Sequence, residues 1–259
     1  MPLNTPITEW RGRRVWIVGA STGIGAALAA KLSAAGARLA ISARSQDKLD
    51  AMAPSLGGAM VLPLDVRDAG GLAGACERIT AALGGIDVAV FNAGTYSPMR
   101  ADAFDLAVMD EHFAVNFHGV VNGVAAVLPH LLARAAERPA MAIVSSVAGY
   151  GGLPGSIAYG PSKAALINFA ESLYLDLAPR GIGVFLIDPG FVDTPLTKQN
   201  EFEMPALISA DTAADEIMAG FARGEFEMHF PKRFSRVLKL LRLLPYGLYF
   251  RVVRQVTGG

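Results

Sequence analysis

The sequence predicts an α/β protein: one doubly wound, seven-stranded parallel sheet with helices on both faces. Three observations carry that expectation. Short β-rich apolar runs alternate with longer helical patterns along the 259 residues. The runs are apolar nearly throughout, as strands covered on both faces are. Helical stretches of ten or more residues separate them, long enough for right-handed crossovers between parallel strands.

The elements follow in order. Arg13–Ala20 (RRVWIVGA) reads as the first buried strand, and Gly23–Ala35 as an alanine-rich helix stopped by Gly36. Ala37–Arg44 is the second strand, with a helix around Gln46–Leu56. Met60–Asp65 is the third, followed by a helix over Ala69–Leu83 that includes Cys76. Ile86–Gly94 is the fourth strand, and Phe104–Arg134 a long helical region. Met141–Val147 is the fifth, Ser156–Ala178 a helix, and Gly183–Asp188 the sixth. Asp211–Ala222 is a helix and Phe226–Pro231 the seventh strand. Phe191–Ala210 is the longest irregular stretch, the kind of loop that forms active-site lids. With no linker or repeat, the expected organisation is one domain over 1–231 and an extension over 232–259.

Composition narrows the classes. At 52% hydrophobic and 18% charged, the chain can bury a sizeable core and is not of the disordered type. Its single cysteine forms no internal disulfide, and a packed thiol is the expected role for Cys76. Met1–Arg14 lacks the apolar run of a signal peptide, and no later stretch reads as a simple membrane span, so a cytoplasmic location is expected. The zero net charge hides an asymmetry. Residues 232–259 carry seven basic and no acidic side chains, leaving 16 basic against 23 acidic elsewhere.

The first strand runs into Gly19-Ala20-Ser21-Thr22-Gly23-Ile24-Gly25, and a helix follows directly. Glycines permit a sharp strand-to-helix turn and close approach of a ligand to the backbone. The helix's free N–H groups and positive end then favour a pyrophosphate. The spacing is G-x-x-x-G-x-G, not the commoner G-x-G-x-x-G. Further motifs follow in order: Phe91-Asn92-Ala93-Gly94 closing the fourth strand, Asn116 on the long helix, and Ser146 ending the fifth strand. Tyr159-Gly160-Pro161-Ser162-Lys163 comes 13 residues after Ser146, and Asp188-Pro189-Gly190 follows strand six, with Val192 and Thr194 beyond. Together these resemble the short-chain dehydrogenase/reductase family over roughly residues 12–231, which implies a Rossmann-like fold and a nicotinamide cofactor.

Tyr159 and Lys163 are four apart and share a helix face. A phenol with a pKa near 10 is a poor base at neutral pH, and a nearby ammonium is expected to lower it. Tyr159 then reads as general acid in reduction and general base in oxidation. Lys163 tunes it and, as the resemblance implies, holds the nicotinamide ribose. Ser146 would hydrogen-bond the substrate oxygen. Ser145 competes for that role, and the spacing to Tyr159 favours Ser146. By resemblance, Asn116 holds a water that relays protons from Lys163.

The second strand ends Ile41-Ser42-Ala43-Arg44-Ser45. Ala43 stands where an acidic residue would bind an unphosphorylated ribose. Arg44 can instead bind a 2′-phosphate through charge-assisted hydrogen bonds, so NADP(H) is expected over NAD(H). Asp65 and Val66 resemble the family's adenine contacts, and Asn92, Ala93, Gly94, Pro189, Gly190, Val192 and Thr194 complete the expected cofactor set.

By the same resemblance, the substrate meets Tyr150-Gly151-Gly152-Leu153-Pro154 and Phe191–Leu207, with Tyr96, Pro98 and Met99 at the rim. Their apolar character suggests a hydrophobic carbonyl or secondary alcohol. The expected activity is hydride transfer between NADP(H) and such a substrate, in a homodimer or homotetramer. A non-catalytic NADP(H) sensor on the same fold is the alternative, and an extended-branch epimerase would need more residues after strand six. The four histidines show no metal-ligand spacing, and basic residues do not cluster with aromatics as in a nucleic-acid platform. The extension reads as a basic amphipathic pair of helices. It could dock on its own domain or a second subunit, or make peripheral membrane contact through residues 233–256.

Overall fold

The computed structural model describes residues 1–199 and 204–257. Its strands are β1 Arg14–Val18, β2 Arg38–Ser42, β3 Met60–Val61, β4 Val88–Phe91, β5 Ala140–Val144 and β6 Gly183–Pro189. β7 Val192–Asp193 and β8 Ile208–Ser209 form a separate parallel pair, and β9 Glu227–Phe230 completes the main sheet. The seven main strands are parallel, in the order β3-β2-β1-β4-β5-β6-β9. The order reverses at β1, where doubly wound sheets open a crevice beyond their carboxyl ends.

The apolar runs have the expected cause. Along β1, Val15 and Ile17 enter one core while Trp16 and Val18 enter the other. β6 divides likewise, with Phe185 and Ile187 on one side and Val184 and Leu186 on the other. Helices α1 (Gly23–Ala34), α2 (Gln46–Met52) and α7 (Ala210–Arg223) cover the first face. Helices α3 (Ala69–Leu83), α5 (Gly119–Ala133) and α6 (Tyr159–Leu177) cover the second. Trp16 is fully buried, and its indole N–H donates to Ser42 Oγ at 2.9 Å. Cys76 is buried too, and burial pushes its thiol up to about 11, the environment of a packing thiol.

The structure departs from expectation at several boundaries. The third strand is two residues long as a formal strand. Its backbone nonetheless keeps bonding to β2 through Leu62 N–H to Ile41 O (3.0 Å) and Leu64 N–H to Ala43 O (3.1 Å). α6 starts at Tyr159 rather than Ser156. The long helical region is α4 (Leu106–His112), one turn of π-helix over Phe113–His118, then α5. A Cβ on Gly119 would lie 2.6 Å from Val66 Cγ2, and one on Gly123 2.4 Å from Phe91, so this helix is pressed onto the sheet. By length and composition the α4–α5 run could cross a membrane, yet its Val120, Val124, Val127 and Leu131 are buried in the core.

The extension forms two helices, α8 Lys232–Arg242 and α9 Tyr246–Thr257. They dock on their own domain, one of the three arrangements expected. Tyr249 and Val253 are buried, and the Tyr249 hydroxyl donates to Gly152 O at 2.8 Å. Lys239 forms an ion pair with Glu227 of β9.

Candidate active site

The glycine-rich turn links β1 to α1, and its three glycines do different work. Gly19 adopts φ +91°, and a Cβ there would lie 2.4 Å from Ala93 N, so only glycine lets the turn pass under the end of β4. Gly23 (φ +57°) meets Thr194. Gly25 is buried away from the cleft, where a Cβ would fall 2.1 Å from Gly19 O; it lets α1 close onto the turn rather than facing a ligand. Asn92 Nδ2 donates to Gly19 O at 2.7 Å and pins the turn to β4. Thr22, the residue preceding α1, makes no side-chain capping bond, which leaves that helix's N-terminal N–H groups uncapped by it. Ser21 also fits the G-x-S-x-G spacing of a hydrolase elbow, but it has no hydrogen-bonded base among the described residues.

From this turn a cleft of about 540 Å³ runs across the carboxyl ends of the strands. Gly19, Ser21, Thr22, Gly23, Ile24, Ala43, Arg44, Asp65 and Val66 line one end. Asn92, Ala93, Gly94, Ser146, Tyr159, Lys163, Pro189, Gly190, Val192 and Thr194 line the rest. Of the residues expected to hold the cofactor or act in catalysis, Gly25 and Asn116 do not line it, and neither do Tyr96, Pro98 and Met99, expected at the substrate rim. Sequence reasoning missed Ser45, Lys48, Leu64, Thr95 and Val115, which also face the cleft, while Pro195 and Leu196 belong to the Phe191–Leu207 segment expected at the substrate. Lys48 was legible in hindsight: it lies four residues after Arg44, at the start of α2.

At the inner end, Ser146 Oγ accepts from Ala148 N–H at 3.1 Å and donates to Pro189 O at 3.3 Å. Burial pushes the Tyr159 phenol up to about 12, and a hydrogen bond with Ser146 opposes that rise. The Tyr159 ring packs edge-on against Tyr96 at 5.1 Å. The Ser145 hydroxyl is taken up by Lys163 O, to which it donates at 2.7 Å, and it is Ser146 that joins Tyr159.

Lys163 is buried, and burial lowers its ammonium to about 8. Its Nζ lies 5.6 Å from the Tyr159 ring centre and donates to Val144 O at 3.0 Å. The expected lowering of the phenol is not what the structure gives: burial is the largest influence on Tyr159 and raises it. Asn116, in the π-helical turn, is fully buried. Its Oδ1 accepts from Thr95 N–H at 2.7 Å, and its Nδ2 donates to Thr95 O and Ser162 Oγ, each at 3.0 Å. The side chain thus ties the strand-four loop to α6.

The loop after β5, expected at the substrate, turns instead toward the α8–α9 pair. Tyr150, Gly151 and Leu153 line a small crevice with Leu238, Leu241 and Tyr249. The Tyr150 hydroxyl donates to Glu227 Oε1 at 2.5 Å. Asp188 lies nearby, fully buried, and burial followed by repulsion from Glu227 raises its carboxyl well above the usual range. Burial opposes ionisation of Glu227, yet Lys239 and Tyr150 hold it ionised. Arg44 is exposed at the cleft mouth and carries no ion pair among the described residues, whereas Asp65 is bound to Arg67. Of the segment expected at the substrate, residues 200–203 lie outside the described residues.

Comparison with known proteins agrees with this geometry. Residues 13–204 match the family model described as short chain dehydrogenase. An uncharacterized oxidoreductase of Myxococcus xanthus is 33% identical over 254 residues, covering 96% of this chain and 100% of that protein. The 3-oxoacyl-(acyl-carrier-protein) reductase FabG of Escherichia coli is 31% identical over 214 residues, covering 81% of this chain and 85% of that one. Among solved structures, a short-chain dehydrogenase from Burkholderia cenocepacia superposes with a TM-score of 0.83 at 23% identity, covering 95% of this chain and 99% of that chain. With its motifs at the ends of the strands that such a fold requires, the chain belongs to the short-chain dehydrogenase family, oxidoreductases acting on CH–OH groups.

Proposed function

We propose that the chain is an NADP(H)-dependent oxidoreductase acting on a hydrophobic carbonyl or secondary alcohol, with residues 1–231 as its catalytic domain and a homodimer or homotetramer as its working form. The observation that carries this reading is the convergence of the Ser146 and Tyr159 hydroxyls at one end of a cleft whose other end holds the Gly19–Gly23 turn and Arg44. The turn fits a pyrophosphate, since a Cβ at Gly19 or Gly23 would collide with Ala93 or Thr194 and narrow the passage. A bound nicotinamide supplies the hydride.

The protein's residues do the rest. Ser146 donates to the substrate oxygen and stabilises its developing charge. Tyr159 gives that oxygen its proton in reduction and removes it in oxidation. Burial favours its neutral form, which is the form that carries the proton into reduction. Lys163, held by Val144 O, presents an ammonium beside the ring and holds the cofactor ribose. Asn116 secures the Thr95 loop against α6 and, in this reading, supports a proton-relaying water. Val192, Pro195 and Leu196 give the substrate wall an apolar surface.

NADP(H) preference is supported by Ala43, which removes a carboxylate, and by the exposed Arg44, which has no ion pair among the described residues and lines the cleft together with Lys48. Arg44→Ala should lower kcat/KM for NADPH about tenfold to a hundredfold, the value of a charge-assisted hydrogen bond, and leave that for NADH unchanged. Steady-state kinetics with a panel of hydrophobic ketones would check this. Equal losses with both cofactors, or a wild type that prefers NADH, would sink the preference.

A further inference from the structure

We propose that the outer face of the α8–α9 pair docks on an anionic phospholipid surface. The inner face is already used: Tyr249 and Val253 are buried, and Lys239 pairs with Glu227. The outer face is therefore a separate surface, and it is unlike the rest of the protein. Among the described residues, thirteen large hydrophobic side chains are exposed, and seven of them lie between Val237 and Val256. A tenth of the chain thus holds half of the exposed apolar bulk. Scattered surface hydrophobics are ordinary; a concentration of this kind marks a contact surface.

Charge selects the partner. Residues 232–259 contain seven basic and no acidic side chains. Lys232 and Lys239 turn inward to Glu225 and Glu227. Arg233, Arg236, Arg242, Arg251 and Arg254 are exposed and have no ion pair among the described residues. A two-fold contact with a second copy would set these arginines against their own images, and like charges across an interface oppose association. An acidic protein would satisfy the cations but not the tip of the hairpin. There Leu243 is 80% exposed, and Tyr246 and Phe250 stack at 5.6 Å, 66% and 49% exposed. Apolar and aromatic side chains interleaved with arginines suit an interface where the former enter the acyl boundary and the latter meet headgroup phosphates.

The full chain would be sedimented with vesicles of phosphatidylglycerol mixed with phosphatidylcholine, and with phosphatidylcholine vesicles alone. The expected result is binding to the anionic vesicles that weakens as salt rises. Each of Arg251→Gln and Arg254→Gln should weaken it about fivefold. Leu243→Glu combined with Phe250→Glu should weaken it at least tenfold with the melting temperature unchanged. Three outcomes would overturn the proposal. The wild type could ignore anionic vesicles. The Leu243/Phe250 variant could bind as well as wild type, leaving a purely cationic surface suited to an acidic protein. Or the same variant could dissociate an oligomer on size exclusion, making a second copy the occupant.

Discussion

Lys163 carries a cost as well as a role. Burial lowers its ammonium from 10.5 to about 8, which corresponds to about 3 kcal/mol of destabilisation at pH 7. Its bond to Val144 O returns about 1 kcal/mol. Since the folded-state value lies below the unfolded one, the unfolded chain binds more protons between pH 8 and 10.5, and stability rises with pH across that window. Lys163→Met should stabilise the protein by about 2 kcal/mol at pH 7 and flatten that rise, as urea titrations at several pH values would reveal, while turnover is lost. In the wild type, reduction should hold steady below pH 8 and decline above it as the lysine loses its charge. Tyr159→Phe removes the proton donor but little volume. Its kcat should fall about a hundredfold or more with cofactor affinity kept, and near-full turnover would rule the tyrosine out as the acid.

These residues were legible because spacing along a helix or strand end fixes them. Their energetics were not. Whether Lys163 lowers the phenol or is itself lowered depends on how dry the pocket is, and burial is a property of contacts distant in sequence.

Among the elements, the turn and its helix show where a motif divides into roles. The spacing of Gly19, Gly23 and Gly25 marked all three as cofactor residues, yet Gly25 serves packing. Gly25→Ala would place a methyl 2.1 Å from Gly19 O, so helix or turn must shift. We expect a loss of about 1–3 kcal/mol in stability and weaker cofactor binding, both measured by thermal melting with and without NADP. Gly74→Ala on α3 is the control, having nothing within 4 Å of the new methyl; it should be neutral or slightly stabilising. Strand positions were readable from apolar runs, because both faces of the sheet are covered. The π-helical turn over Phe113–His118 was not, since a helix with one extra residue keeps nearly the same apolar pattern. The path of Tyr150–Leu153 was also hidden, because it depends on α8 and α9 arriving from the far end of the chain.

For the whole molecule, the balanced charge conceals an acidic body and a basic hairpin. Both tryptophans lie inside this arrangement, Trp10 4% and Trp16 0% exposed. Trp16 sits on β1, three residues before the glycine where the cofactor turn begins. The molecule therefore carries its own optical gauge. Its ultraviolet emission should come from dry surroundings and shift to the red when the sheet opens. A reduced nicotinamide bound above the strand ends should drain light from Trp16 by energy transfer, so a fluorimeter would register cofactor loading before any substrate is known.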